Sequence, residues 1–228
     1  MNNIKLLSIG STARVGKDSL AKSLFTLLVQ DGYNARIYSL ANALKQDCAD
    51  FLQNNFGYDV WTDDTEEKKK FRDFLVLYGK MHRQQSKGTY WTNIVEQKIK
   101  EDASIINADN RLPFVAIVPD VRYADPIYPH DEVWWVQKKM NGVLINLDRI
   151  DNGVRILPAN LDEEINYGRI KPIADYLFEW ETLKGPLEFT NTFNGEIFEQ
   201  VTPLYNKIKS EYLQYFHAFY PIGQSEVT

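Results

Sequence analysis

The chain has 228 residues, 44% of them hydrophobic, with 31 acidic against 26 basic side chains and a formal net charge of −5. That balance argues against a nucleic-acid coat protein or a polybasic membrane binder, and leaves room for a local basic pocket that takes a small anion. The single cysteine, Cys48, excludes an internal disulfide and points to a cytoplasmic setting. No apolar stretch approaches the roughly 18 residues of a membrane span, and Met1-Asn2-Asn3 leads straight into a strand, so neither an anchor nor a signal peptide is expected.

Ile4 to Ile9 is an apolar run that predicts a buried strand. Small and polar residues follow, then Gly16-Lys17, then a helix to about Gln30 with Leu20, Leu24, Leu27 and Leu28 on one face. Strand, tight loop, Gly-Lys and helix make a phosphate-binding arrangement. The loop turns backbone N–H groups toward phosphate oxygens, the helix N-terminus adds about half a positive charge, and Lys17 adds a full one. The sequence departs from the strict pattern twice. Ser11 stands where the first glycine is usual, and Asp18, followed by Ser19, stands where a Ser or Thr would meet the metal. The metal then falls to Asp18, to Ser19, or to other groups.

Ala35 to Leu40 reads as a second strand, which makes residues 4–40 a β-α-β unit and predicts a parallel sheet. Asn42 to Asn54 reads as a helix with Cys48 on its apolar face, a core residue rather than a nucleophile. The charge run from Thr62 to Lys70 reads as a capped helix start, continued by an apolar stripe to about Met81. A helix is expected from Thr92 to about Lys100, and a central strand from Pro113 to Val118 that ends in Asp120 and Arg122. A short helix over Asp131 to Lys139 and a strand over Val143 to Leu147 come next. Residues 150–170 break the rhythm with Asn152, Gly153, Pro158, Asn160 and Gly168, and read as a mobile insertion of lid type carrying Arg155 and Arg169. A strand over Ala174 to Trp180, a helix from Glu196 to about Phe216 and a frayed tail after Pro221 complete the chain.

Arginines recur at loop ends: Arg14, Arg72, Arg83, Arg122, Arg149 and Arg155. Their planar forks suit bidentate phosphate contacts. Asp120 could hold Mg²⁺ through water or simply close a turn with Arg122. Trp91 and Tyr90 could stack on a base or pack in the core. The three histidines lack metal spacing, and no Ser-His-Asp signature is visible.

These residues together resemble a family. Gly16-Lys17-Asp18-Ser19 is similar to the Gly-Lys-Asp-Thr loop of phage deoxynucleoside monophosphate kinases, a loop that animal-type phosphomevalonate kinase shares in part. Ser39 to Lys45, the run Arg72 to Gly79 followed by Arg83 and Trp91, Pro119-Asp120-Val121-Arg122, Ile145 to Arg149, and Ala174 to Leu177 follow the family's order and spacing over about residues 10–200. Asn42-Ala43 departs from the family's Asp-Pro.

The resemblance implies a single α/β domain over 1–228 with a three-layer P-loop kinase fold and a parallel central sheet. It would carry a helical acceptor-binding excursion near 42–110 and a lid near 150–170. Mg²⁺ and ATP would serve as metal and phosphoryl donor, and a deoxynucleoside monophosphate as acceptor. The ATP site would comprise Ser11, Thr12, Ala13, Arg14, Val15, Gly16, Lys17, Asp18, Ser19 and Arg149. The acceptor would meet Lys45, Arg72, Arg83, Trp91, Asp120 and Arg122. Lys17, Asp18, Arg122 and Arg155 would be catalytic, and Asp18, Ser19 and Asp120 would serve the metal. No membrane or nucleic-acid partner is expected, and a homodimer stays open. Two alternatives remain: a P-loop kinase for another acceptor, such as dephospho-CoA or phosphomevalonate, and a nucleotide-binding module without turnover.

Overall fold

The computed structural model describes residues 4–107, 114–182 and 195–213. They fall in two compact units, Met1–Thr182 and Leu183–Thr228. The first unit is an α/β fold. Its strands are β1 (Ile4–Gly10), β2 (Asn34–Ile37), β3 (Phe114–Val121), β4 (Val143–Asp151), β5 (Val154–Arg155) and β6 (Tyr176–Glu181). They form a mixed sheet in which β2, β3, β1, β4 and β6 lie side by side in parallel, while β5 folds back antiparallel on the end of β4. Its helices are α1 (Lys17–Gln30), α2 (Leu40–Phe56), α3 (Thr65–Gln85), α4 (Tyr90–Asn107), α5 (Glu132–Trp134) and α6 (Leu161–Ile170).

Every residue of β3 is buried, as a strand with helices on both faces requires. Phe114, Ala116 and Val118 share one core with Leu6, Leu144, Trp135 and the α4 residues Val95, Ile99 and Ala103. Strand alternation leaves Val115 and Ile117 for the face against which α1 packs. There α1 buries Leu20, Ala21, Leu24 and Leu28, spaced as the sequence pattern requires. A smaller cluster of Cys48, Leu52, Val60 and Phe71 holds α2 and α3 together, so Cys48 is a core residue.

Several boundaries differ from the sequence expectation. The second strand ends at Ile37, not Leu40, because the Ser39 hydroxyl accepts the Asn42 N–H at 3.0 Å and starts α2 early. Helix α4 runs from Tyr90 to Asn107, well beyond the expected ends, with Ser86 Oγ accepting the Tyr90 N–H at its start. The expected helix over Asp131–Lys139 is one α turn followed by wider π winding over Trp135–Lys139. The stretch expected to be a mobile insertion is largely regular. Asn152 and Gly153, with φ of 49° and 76°, form the hairpin turn that pairs Ile150 with Arg155. The Asn160 side chain then accepts the Glu163 N–H and opens α6.

The second unit contains α7 (Gly195–Ile208), with Ile197, Val201, Leu204, Tyr205 and Ile208 spaced along one face and Pro203 in its interior. π winding over Lys209–Leu213 follows. The expected end of this helix at Phe216 and the expected frayed tail lie outside the described residues.

Candidate functional site: a cation-lined cavity at the carboxyl ends of the sheet

Strand β1 lies between β3 and β4, and the chain leaves it toward β2 on one side and later crosses to β4 on the other. Open parallel sheets place their ligands at the carboxyl ends of strands around such a switch point. An open cavity of about 850 Å³ lies there, bounded by the 13–19 stretch, the start of α2 and Pro119 to Arg122. Arg14, Lys17, Lys22, Lys45, Arg122 and Arg149 line it, against the carboxylates of Asp18 and Asp120. Six cations facing two anions create a positive local field in a chain that is negative overall.

The loop is held from behind. A Cβ on Gly10 would come within 2.8 Å of Ile170 Cγ2, so glycine lets α6 approach the end of β1. The buried Ser11 hydroxyl donates to the Leu147 carbonyl and ties the loop to β4. Ser11 is not among the residues with positive φ, so the position works without the usual glycine. The left-handed positions are Arg14, with φ of 66°, and Gly16, with φ of 89°. Any Cβ on Gly16 would strike the Trp180 ring, whose Nε1 donates to the Val15 carbonyl at 2.8 Å. Arg149 donates from Nη1 to the Arg14 carbonyl at 3.2 Å and from Nε to Thr182 Oγ1 at 2.8 Å. Lys17 Nζ donates to the Thr12 carbonyl at 2.6 Å. Three loop carbonyls thus have fixed donors, and the Ala13 N–H donates to a carboxylate, Glu163 Oε2, at 3.2 Å. An amide in such a loop is an anion donor.

Burial pushes the Lys17 ammonium down to about 8, and the Arg122 charge adds to that, while Asp18, Glu163 and Asp120 oppose it. The site therefore contains a cation that gains from any anion entering the cavity.

Asp120 does structural work. The register between β1 and β3 passes from Ser8 opposite Val118 to Gly10 opposite Val121, which puts one extra residue on β3 over Pro119-Asp120. A bulge of this kind re-aims a side chain. Asp120 Oδ1 accepts the Leu40 N–H at 3.0 Å, and Oδ2 accepts the Ala41 N–H at 2.8 Å and the Ser39 hydroxyl at 2.7 Å. This carboxylate caps α2, and a metal would reach it most readily through water. Asp18 and Ser19 line the cavity at the first turn of α1. No group of three His, Cys, Asp or Glu suited to a metal occurs among the described residues.

The expected acceptor residues, and Arg155 with its expected catalytic role, divide. Lys45 and Arg122 line the cavity, with the Lys45 ammonium 5.4 Å from the centre of the Trp61 ring. Arg72, Arg83, Trp91 and Arg155 do not line it. Arg72 is exposed on α3. Trp91 is buried in the core and donates to the Gly79 carbonyl at 3.3 Å, so it packs rather than offering a face to a ligand. Arg83 lies 3.8 Å from the Tyr123 ring centre, with Nη1 3.4 Å from Asp125, and it anchors the loop after β3. Arg155 sits in the hairpin, 3.6 Å from Asp148 and over the Tyr167 ring.

Sequence reasoning missed Glu132, Trp180 and Glu163. Only Glu163 left a readable trace, the Asn160-x-x-Glu163 spacing of a capping box. Glu132 is buried, and its Oε2 accepts the backbone N–H groups of Arg122 at 2.6 Å and Tyr123 at 3.1 Å, which fixes where Arg122 leaves the sheet. Burial pushes its carboxyl up to about 7, against the pull of these two amides and of Arg83. No protein-family model matches the sequence, and a search of curated proteins finds no match.

Two predictions follow from these groups. In the free protein Lys17 loses its proton as pH rises through about 8, and a bound polyphosphate restores it. Affinity for ATP or tripolyphosphate should therefore fall above that pH, and binding at pH 8 should take up protons. Calorimetry in buffers of different ionisation enthalpy reads the uptake, and Lys17→Met should abolish it. For Glu132, the folded protein holds a proton that the unfolded chain releases from its ordinary value of 4.5 upward. The stability this gives is complete below that value and is lost as pH rises through about 7, to the extent of roughly 3 kcal/mol. Urea unfolding of Glu132→Gln across the same range should lose that slope.

Proposed function

We propose that the protein is an ATP-dependent kinase of deoxynucleoside monophosphates, transferring the γ-phosphoryl group to the acceptor's 5′-phosphate to give a diphosphate and ADP. The observation that carries this reading is the cavity itself. Its wall joins a strand–loop–helix turn, with Lys17 at the start of the helix, to a second set of cations, Arg122 just after β3 and Lys45 on α2. A donor on the loop would have an acceptor opposite it. The volume of about 850 Å³ is in the range of ligand pockets and leaves room for more than one phosphate group. The mostly parallel sheet flanked by helices is compatible with the three-layer α/β fold that the reading requires.

The reaction asks for little covalent work from the protein. The attacking group is already an anionic phosphate oxygen, so no general base is needed. Catalysis is then positioning and charge neutralisation. In this reading Lys17 and the Ala13 amide hold the outer donor phosphates. Arg149 keeps the loop in shape through the Arg14 carbonyl, and Arg122 stands between donor and acceptor. Asp18 and Ser19 offer the hard oxygen ligands that Mg²⁺ accepts alongside phosphate oxygens and waters, so the residues present fit that metal. When bound, Mg²⁺ would neutralise charge between the outer donor phosphates.

A coupled ADP-release assay against a panel of deoxynucleoside monophosphates, dephospho-CoA and phosphomevalonate tests the reading. Turnover should appear with the deoxynucleotides and fall by orders of magnitude in folded Lys17→Ala. Absence of turnover with every acceptor, with ATP still bound, would leave a binding module.

Arg122→Ala should lower kcat/KM for the acceptor about 10- to 100-fold, the loss of one or two charge-assisted hydrogen bonds. Arg122→Lys should recover only part of this. Arg83→Ala should act differently, lowering thermal stability through the loop that it anchors while leaving the KM for ATP nearly unchanged. Kinetics and melting curves on the same preparations separate the two.

A further inference from the structure

Helix α6 begins with two adjacent carboxylates that reach in different directions. Asp162 Oδ2 lies 3.5 Å from Lys80 Nζ on α3. Glu163 Oε2 accepts the N–H of Ala159, the residue before the Asn160 cap, at 3.2 Å, and accepts the loop's Ala13 N–H at 3.2 Å as well. The second bond spans 150 residues of sequence and has no part in capping. The same carboxylate also supports the positive charge of Lys17. An anionic oxygen on a loop amide beside a lysine is the arrangement a phosphate oxygen would make.

The other end of α6 is fixed more firmly. Ile170 is buried against Gly10, and Asp148 Oδ2 accepts both the Tyr167 hydroxyl at 2.9 Å and the Lys171 ammonium at 2.8 Å. The helix is thus packed at its carboxyl end and held at its amino end by polar, partly exposed contacts, which are the ones that open first.

We propose that Glu163 is a built-in competitor for the loop's anion position, a latch that holds the first turn of α6 on the loop and yields the Ala13 amide when a polyphosphate binds. This rests on reading the 11–19 loop as a polyphosphate site. Both anions need the same N–H, and the charge of Glu163 repels an incoming phosphate, so the latch lowers donor affinity by the fraction of molecules in which it is closed. Because Asp162 bridges to α3 from the same turn, release of the latch also frees the contact between α6 and the α2–α4 excursion. Donor binding would then clear the acceptor side.

The test is titration calorimetry with ATP and, separately, inorganic tripolyphosphate. The proteins are wild type, Glu163→Gln, which keeps the length and the Ala159 bond but not the charge, and Glu163→Ala. Both variants should bind about 5- to 50-fold more tightly than wild type. Glu164→Gln, which removes a neighbouring exposed carboxylate, should match wild type. Hydrogen exchange at the Ala13 amide of wild type should be quicker without tripolyphosphate than with it, residues 160–165 should quicken when it is added, and residues 160–165 should already exchange faster in Glu163→Ala. Equal or weaker binding by folded Glu163→Gln, with wild type binding normally, would overturn the latch and leave the loop assignment standing. If wild type binds neither probe, and Lys17→Ala changes nothing, the loop assignment and the latch fall together.

Discussion

The cavity depends on one carboxylate. Asp120 sits on a one-residue bulge at the end of β3 and takes three donors from the start of α2. Without the extra residue, strand alternation would send this side chain to the opposite face of the sheet. With it, the last turn of the central strand becomes the cap of the helix that carries Lys45. Two walls of the cavity, one from β3 and one from α2, are thereby set at a fixed separation. Pro119 favours the irregularity, since it brings no N–H to a ladder and a proline inside a buried central strand is tolerated mainly at a bulge.

The arrangement has an electrostatic consequence. A carboxylate that accepts several hydrogen bonds has little capacity left for a metal, so the negative end of the cavity shifts to Asp18, at the first turn of α1. An acidic residue there is favoured by the helix dipole. It also lies next in sequence to Lys17, whose charge it supports. The departure from the usual Ser or Thr is therefore locally consistent: Asp18 stabilises the cation that burial and Arg122 both weaken.

What the sequence showed and what it hid have physical causes. The strand–loop–helix turn was legible because each part has its own signal: a short apolar run, small residues, then helical spacing of leucines. The regular elements within residues 150–170 are hidden in the sequence because Asn, Gly and Pro read as breakers of structure. In the structure Asn152-Gly153 is a hairpin turn, and Asn160 is a helix cap. The same residues start and stop regular structure according to what flanks them. The arginines were harder still. Arg83 and Arg122 are both near the strand ends, yet the first is enclosed by Tyr123, Tyr128 and Asp125 while the second faces the cavity. Spacing along α3 cannot reveal that the loop after β3 folds over one of its arginines. Glu132 was invisible for the same reason, since its partners are backbone amides ten and nine residues away on another element.

The charge distribution suggests how such a site chooses among anions. The wall carries six cations and two carboxylates, whereas the whole chain carries a formal charge of −5. The surface outside the cavity is therefore more acidic than the total suggests. A compact polyphosphate that fits inside feels the local positive field at short range. Screening at physiological ionic strength confines that local field to about 8 Å. Behind the cavity wall, Glu163 places a carboxylate on the Ala13 amide. That one carboxylate accepts the Ala13 N–H and also supports the Lys17 charge.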